Sequence, residues 1–103
     1  MMNFTVKLSD DAIDDMAKIR SYISYNLQNP YAASGQLDRI FSSFQKLIAF
    51  PKIHRAHGKD RFGNEIRIYP VDNYTVLYYL DEANSVVNIS RVLYGRRNID
   101  SLP

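Results

Sequence analysis

The sequence predicts an α+β fold in which a hairpin of two helices packs on one face of a small antiparallel sheet of four strands. Three observations support this prediction: a strand pattern at residues 4–8, two helical patterns between residues 9 and 51, and three strand patterns after residue 64. The predicted order of elements is therefore β-α-α-β-β-β. At 103 residues the chain has room for one domain, which we expect to span residues 1–103.

The first strand is followed directly by the first helix. Residues 4–8 alternate apolar and polar side chains, as in a strand with one buried face. Ser9 is a suitable N-cap, and the acidic residues after it suit the positive end of a helix dipole. Apolar residues then recur at intervals of three or four: Ala12, Met16, Ile19, Ile23 and Leu27. This stripe predicts a helix that ends near Gln28 and Asn29.

A second helix is predicted from Pro30, with Asn29 as its cap, because proline is tolerated in the first turn of a helix. Its apolar face is formed by Ala33, Leu37, Ile40, Phe41, Phe44, Leu47 and Ile48. Pro51 ends the pattern. Since the connection between the two helices is short, they are expected to form an antiparallel hairpin.

The rest of the chain alternates between turns and strands. Residues 52–63 are polar, basic and rich in turn formers, which predicts a loop. Residues 65–69, 74–80 and 86–93 carry strand patterns, and the turns between them predict two consecutive hairpins. The first strand, residues 4–8, can pair with this meander and complete a sheet of four strands.

Composition excludes several classes of protein. The chain has no cysteine, which excludes a disulfide framework, a cysteine zinc site and a thiol nucleophile. Its four glycines are scattered, so a phosphate-binding loop is absent and no cofactor is expected. No apolar run approaches the roughly 20 residues of a membrane span. We therefore expect a cytoplasmic protein that does not enter a membrane.

Positive charge is concentrated in the second half of the chain. Residues 1–45 carry a net charge of −1, whereas residues 46–103 carry +3. Such an asymmetry is compatible with an acidic partner or a polyanion and identifies neither.

Five segments, taken in their order and spacing, carry a resemblance to a known family. They are Ile19–Ile23, Leu47–Pro51, Arg67–Val71, Tyr74–Tyr79 and Ile89–Asn98, the last including the run Arg-Val-Leu-Tyr-Gly-Arg-Arg. Together they resemble the RelE/ParE superfamily of toxins from bacterial type II toxin–antitoxin modules. The resemblance covers nearly the whole chain, and the fold that it implies agrees with the order of elements predicted above.

The long helix hairpin and the closing segment are more similar to the ParE branch of this superfamily, although a histidine commonly stands where this chain has Tyr94. The resemblance implies a toxin that inhibits DNA gyrase by binding. It also leaves a RelE-like alternative open, a ribosome-dependent endoribonuclease that cleaves mRNA, because one scaffold serves both activities. A third alternative is an inactive toxin fold that binds its antitoxin and helps to repress its own operon.

The partners that the resemblance implies are a cognate antitoxin, and DNA gyrase as the target. In the alternative the partners are the ribosome and mRNA, and operator DNA is contacted only indirectly through the antitoxin. A partly disordered antitoxin segment that folds on binding covers a large surface, and its proteolysis would release the toxin.

The residues expected to bind the target or the antitoxin lie in the basic second half of the chain. They are Arg61, Arg67, Arg91, Tyr94, Arg96 and Arg97. An endoribonuclease would instead use Arg67 and Arg97 to hold the scissile phosphate, with Tyr94 or a loop histidine moving the proton. The third interpretation is that these arginines are only surface charges and have no role in binding or catalysis.

Three further groups have both a functional and a structural interpretation. His54 and His57 suggest general bases or a metal pair, but no third ligand accompanies them, so we expect no metal site. Tyr74, Tyr78 and Tyr79 suit either base stacking or core packing, and we expect core packing. The acids of the first helix are expected to form a solvated turn: Asp10, Asp11, Asp14 and Asp15.

Overall fold

The computed structural model describes residues 4–26 and 30–95 of the chain. In chain order, the elements are β1 (Thr5–Leu8), α1 (Asp10–Asn26), α2 (Pro30–Ala49), β2 (Ala56–Lys59), β3 (Glu65–Val71), β4 (Tyr74–Asp81) and β5 (Val86–Tyr94). The α+β class and the helix hairpin are confirmed. One strand, β2, is additional to the predicted order.

The sheet has five strands in the order β1-β5-β4-β3-β2, and it is mixed rather than antiparallel. Strand β1 pairs parallel to β5, whereas the other three pairings are antiparallel. The prediction of four antiparallel strands was wrong in these two details. Strand β2, Ala-His-Gly-Lys, lies within the predicted loop because an edge strand exposed to solvent needs no alternation of apolar residues.

The helix ends follow the predicted signals. The Ser9 hydroxyl accepts a hydrogen bond from the Ala12 backbone N–H at 3.0 Å, which is the N-cap geometry, and it donates to the Ser90 carbonyl at 2.9 Å. Helix α2 begins at Pro30 and ends at Ala49, two residues before Pro51. The predicted end of the first helix near residues 28 and 29 falls outside the described residues.

Both helices cover one face of the sheet, and the core lies between them. Helix α1 contacts β5 and helix α2 contacts β3. The residues that fill this layer and are almost completely buried are Ala12, Ile40, Leu47, Val76, Tyr78, Val87 and Ile89. The Tyr78 hydroxyl donates to the Pro51 carbonyl at 3.1 Å, which joins β4 to the end of α2. Core packing is confirmed for Tyr74 and Tyr78, whereas Tyr79 lies on the opposite face.

A β-bulge in β5 changes which side chains face the core. Tyr78 pairs with Ile89 and Leu77 pairs with Arg91, so Ser90 is the extra residue on β5. Its hydroxyl donates to the Leu77 carbonyl at 3.1 Å. As a result Val92 is buried against the helices, and Arg91 points to the face that the helices leave open.

Candidate partner-binding surface

The face of the sheet opposite the helices forms an open groove of about 660 Å³. Its floor is built from alternate residues of β3, β4 and β5, namely Ile66, Ile68, Leu77, Tyr79 and Asn88. These positions share a face because they pair directly across the strands, Ile68 with Leu77 and Tyr79 with Asn88. The groove therefore has a mostly apolar floor, made by the strands that supply the core on their other side.

Basic side chains stand around part of this groove. Lys7 comes from β1, Lys59 from β2 and Arg61 from the β2–β3 turn. Within residues 4–26 and 30–95, none of these three cations forms an ion pair. Asp10 and Asp11, from the start of α1, line another part of the groove. The surface thus offers unpaired positive charge beside an apolar floor and a smaller acidic region.

The β2–β3 turn is held in one conformation by Asp60. Its carboxylate accepts hydrogen bonds from the backbone N–H groups of Phe62 and Asn64, both at 2.9 Å, and from the Asn64 side chain at 3.1 Å. Desolvation by itself raises the pKa of Asp60, but the hydrogen bonds from Asn64 and Phe62 outweigh it and hold the pKa below its usual value. The turn therefore presents Arg61 and Phe62 in a fixed arrangement.

Arg61 and Phe62 form the exposed tip of this turn. The Arg61 guanidinium carbon lies 4.8 Å from the centre of the Phe62 ring, a cation–π contact. The Phe62 residue is 74% exposed. Arginine and aromatic residues are enriched in protein–protein interfaces, and this turn exposes one of each. Of the predicted binding residues that the structure describes, Arg61 is thus the arginine that lines the groove without an ion pair.

Arg91 lines the same groove, but its charge is compensated within the protein. Its Nε and Nη2 atoms donate to the two carboxylate oxygens of Asp15 at 2.8 and 2.9 Å. The same carboxylate accepts the Val92 backbone N–H at 2.9 Å, beyond the point where β1 stops pairing with β5. The hydrogen bond to Asp15 raises the pKa of Arg91 above its ordinary value. Arg91 therefore fastens α1 to β5, and 34% of its side chain stays exposed.

The sequence analysis did not predict that Asp15 binds Arg91 at the groove. It is only 7% exposed, so the prediction of a solvated acidic turn was wrong for this residue. A signal was available in the sequence. Asp15 is three residues after Ala12 and four before Ile19, which places it on the buried stripe of α1.

Arg67 and Tyr94 lie on the helix-covered side of the sheet. Arg67 pairs with the buried Tyr78 and donates through Nη1 to the His54 carbonyl at 2.6 Å. Tyr94 pairs with Tyr74, and their rings meet edge to face with centroids 5.5 Å apart. Tyr94 is nevertheless 70% exposed because it lies at the end of β5. The structure thus does not bring these two side chains into the groove beside Arg61. Arg96 and Arg97 lie outside the described residues.

The two histidines also face different sides of the sheet. The His54 ring packs on the Tyr69 ring with centroids 4.3 Å apart, and burial lowers the pKa of His54. His57 lines the open groove. Over the described ranges, no three histidine or acidic side chains come close enough to hold a metal ion. In the same ranges, neither helix has the length and apolar character needed to cross a bilayer.

Comparisons of the sequence identify its relatives. The sequence model described as the ParE toxin of the type II toxin–antitoxin system parDE matches residues 6–99. Toxin ParE3 of Caulobacter vibrioides is 42% identical to this chain over 67 residues, which make up 65% of this chain and 63% of that relative. The similarity therefore spans less than two thirds of the length of ParE3.

Three solved structures share the fold. A chain of the chromosomal ParDE toxin–antitoxin system from P. aeruginosa matches with a TM-score of 0.72 at 14% identity, covering 90% of this chain and 97% of its own. The RelBE2 toxin–antitoxin complex from Mycobacterium tuberculosis gives 0.61 at 18% identity, covering 90% and 99%. The archaeal RelE–RelB complex from Pyrococcus horikoshii gives 0.61 at 14% identity, covering 93% and 99%. The match to the family extends over most of the chain and the fold agrees with it, so this chain belongs to the ParE toxin family of type II toxin–antitoxin systems.

Proposed function

We propose that the protein is the toxin of a type II toxin–antitoxin pair, and that it inhibits DNA gyrase by binding and is neutralised by a cognate antitoxin. The observation that carries this proposal is the match to the ParE toxin family over residues 6–99. The proposed site of action is the cytoplasm, where gyrase works on the chromosome.

The chemistry of the open groove supports binding as the mode of action. Most of its floor is apolar, formed by Ile66, Ile68 and Leu77, and its cations stand at the rim. An apolar centre with a charged rim is the usual composition of a surface that binds another protein. Arg67 and Tyr94, which an endoribonuclease would use, lie on the other side of the sheet.

A cognate antitoxin is proposed as the partner that covers this surface. The Mycobacterium and Pyrococcus neighbours are both structures of a toxin with its antitoxin. Lys7, Lys59 and Arg61 at the rim favour an acidic segment of such a partner. Operator DNA would then be reached only through the antitoxin.

The gyrase proposal is tested with purified protein in a plasmid supercoiling assay. We expect the protein to stop negative supercoiling, and the antitoxin to restore it. Unaffected supercoiling at large molar excess would exclude gyrase as the target. Cleavage of mRNA during in vitro translation without gyrase would identify the RelE-like endoribonuclease instead. If the protein shows neither activity, and its expression without an antitoxin leaves growth normal, the inactive toxin fold is the remaining alternative.

The closing arginines provide a sharper version of the same test. Replacing Arg96 and Arg97 together with alanine is expected to abolish inhibition while the unfolding curve stays that of the wild type. The matched control replaces Lys18 and Arg20, two exposed cations of α1, and is expected to retain inhibition. Full inhibition by the Arg96 and Arg97 variant would show that the end of the chain is not part of the binding surface.

A further inference from the structure

The β2–β3 turn is closed at its base by the backbone alone. The Asp60 N–H donates to the Asn64 carbonyl at 3.0 Å, and the Gly63 N–H donates to the Asp60 carbonyl at 3.1 Å. Gly63 has a φ angle of 83°, in the left-handed region that glycine adopts without strain. Neither of these two bonds uses the N–H group of Phe62 or that of Asn64. The backbone therefore closes the turn without fixing its tip.

The Asp60 carboxylate binds the two N–H groups that the closing bonds do not use. Its Oδ1 atom accepts the N–H groups of Phe62 and Asn64, both at 2.9 Å, and its Oδ2 atom accepts the Asn64 side chain at 3.1 Å. The Phe62 N–H belongs to the planar peptide unit that joins Arg61 to Phe62, so holding it also holds the Arg61 carbonyl. Removing the carboxylate is therefore expected to free the tip while the base of the turn stays closed.

The charge of Asp60 acts against the binding of an acidic partner. Asp60 lines the groove between Lys59 and Arg61, and neither of these cations forms an ion pair in the part of the chain that the structure describes. A carboxylate between two cations lowers the positive potential at the rim, which by Coulomb's law alone weakens the attraction of an acidic segment. The favourable contribution of Asp60 is therefore the set of hydrogen bonds that it accepts.

We propose that Asp60 is a positioning residue, whose carboxylate holds Arg61 and Phe62 in the arrangement that the antitoxin binds. The inference rests on the proposed function, in which an acidic antitoxin segment covers the groove. Arg61 and Phe62 make the contacts, through the guanidinium and the ring that already pack together at 4.8 Å. Asp60 acts through them, because side chains that are ordered before binding lose less conformational entropy when the partner arrives.

The test compares Asp60→Ala with Asp60→Asn in a titration with the antitoxin from the same operon, followed by the anisotropy of a fluorescent label on the antitoxin. Asp60→Ala removes the acceptor, and we expect roughly tenfold weaker binding because two side chains must then be ordered by the partner. Asp60→Asn keeps an oxygen for both N–H groups and removes the charge, so it is expected to bind at least as tightly as the wild type. Coulomb's law alone predicts tighter binding by both variants.

Asp81→Ala is the matched control. Asp81 holds the β4–β5 turn in the same way, since its carboxylate accepts the Asn84 N–H at 3.2 Å and the Asn84 side chain at 2.8 Å. This turn stands away from the groove, so Asp81→Ala is expected to bind like the wild type.

A double-mutant cycle shows whether Asp60 acts through the tip. Adding Asp60→Ala to a variant in which Arg61 and Phe62 are both alanine is expected to change the affinity less than about twofold, because the groups that Asp60 positions are gone. A purely structural role of Asp60 would give the same loss in both backgrounds.

A second measurement needs no partner. The NMR order parameter of the Phe62 amide, whose N–H donates to Asp60, is expected near 0.85, the value of rigid backbone, in the wild type and in Asp60→Asn. It is expected below about 0.6 in Asp60→Ala. If Asp60→Ala fails to fold, Asp60→Glu, which keeps the charge and displaces the carboxylate, takes its place in both measurements, with the same expected results.

The outcomes separate the inference from the proposed function. A wild-type protein that does not bind the antitoxin refutes the proposed function and this role of Asp60 with it. If the wild type binds, the inference alone is overturned by a folded Asp60→Ala variant that keeps the wild-type affinity or a rigid Phe62 amide. Loss of gyrase inhibition by that variant with unchanged antitoxin affinity also overturns it, and assigns the turn to gyrase.

Discussion

The two faces of the sheet are made by the same strands but have different roles. On the covered face, Val76 and Ile89 are completely buried beneath the helices. On the open face, Ile66 and Ile68 are half-buried and form part of the floor of a groove that neither of the described helices covers. The comparison teaches that burial by the helices supplies stability, while Ile66 and Ile68, which alternate with core-facing residues of β3, stay partly exposed for a partner.

The positive charges of the two faces differ in the same way. On the covered side, Arg67 donates to the His54 carbonyl and so holds the segment before β2 against the sheet. On the open side, Lys59 and Arg61 have no ion pair among the described residues. Arg91 stands between these cases, because it lines the groove while Asp15 binds its guanidinium. The contacts of each arginine therefore indicate whether it has a structural role or is available to bind a partner.

The largest expected effect is a loss of stability, and it is measured by truncating one isoleucine on each face of the sheet. Ile89→Ala removes a fully buried side chain from the covered face and is expected to lower the free energy of unfolding by about 3–4 kcal/mol. Ile68→Ala on the open face is expected to cost only about 1 kcal/mol, since this side chain is half-buried. Urea unfolding monitored by circular dichroism measures both. Equal losses from the two variants would contradict the division of roles between the faces.

The next effect concerns the ion pair that joins α1 to the edge of β5. Asp15→Ala leaves the Val92 N–H and the Arg91 guanidinium without their partner, and we expect a loss of about 2–3 kcal/mol. The estimate lies below the cost for a fully buried pair because part of Arg91 regains water. Asp14→Ala is the control, since it breaks only the exposed pair with Lys18 and is expected to cost less than about 0.5 kcal/mol. If Asp15→Ala and Asp14→Ala give similar unfolding curves, the Asp15–Arg91 pair contributes little to the free energy of unfolding.

The smallest effect is a pH dependence from His54. Burial lowers the pKa of His54 in the folded state below 6.5, so the unfolded chain binds the proton more readily. The contribution of His54 to stability is therefore complete above about pH 6.5 and is lost as the pH drops from there toward the folded-state pKa. Thermal unfolding between pH 7.5 and 5 measures this slope. His54→Gln is expected to flatten it, and an unchanged slope in that variant would assign the effect to other groups.

Much of the fold could be predicted because local signals and tertiary structure agree. Ser9 caps α1 and Pro30 opens α2, as their side chains and positions indicate. The turn between β3 and β4 was likewise visible in Asp72 and Asn73, and Asp72 adopts a φ of 55° that this residue type tolerates. Each of these features depends on neighbours within a few residues.

The parts that escaped prediction depend on distant partners. The parallel pairing of β1 with β5 joins Thr5 to Val86, and nothing local specifies its direction. The side of the sheet that Arg67 faces follows from its pairing with Tyr78. The inward orientation of Val92 requires the bulge at Ser90, which a strict alternation of residues does not show. The sequence therefore indicates candidate site residues by their type. It does not indicate which face of the sheet each of them occupies.

The position of β5 in the sheet has a consequence for how the protein is made. Strand β5, the last strand among the described residues, lies between β1 and β4, so β1 has no partner in this sheet until β5 has been synthesised. Chains grow from the amino end at about 5–20 residues per second, so the pairing of Thr5 with Val86 forms only after the residues between them have been added. A nascent chain that has not yet reached β5 consequently lacks the side of the groove that β1 and β5 form.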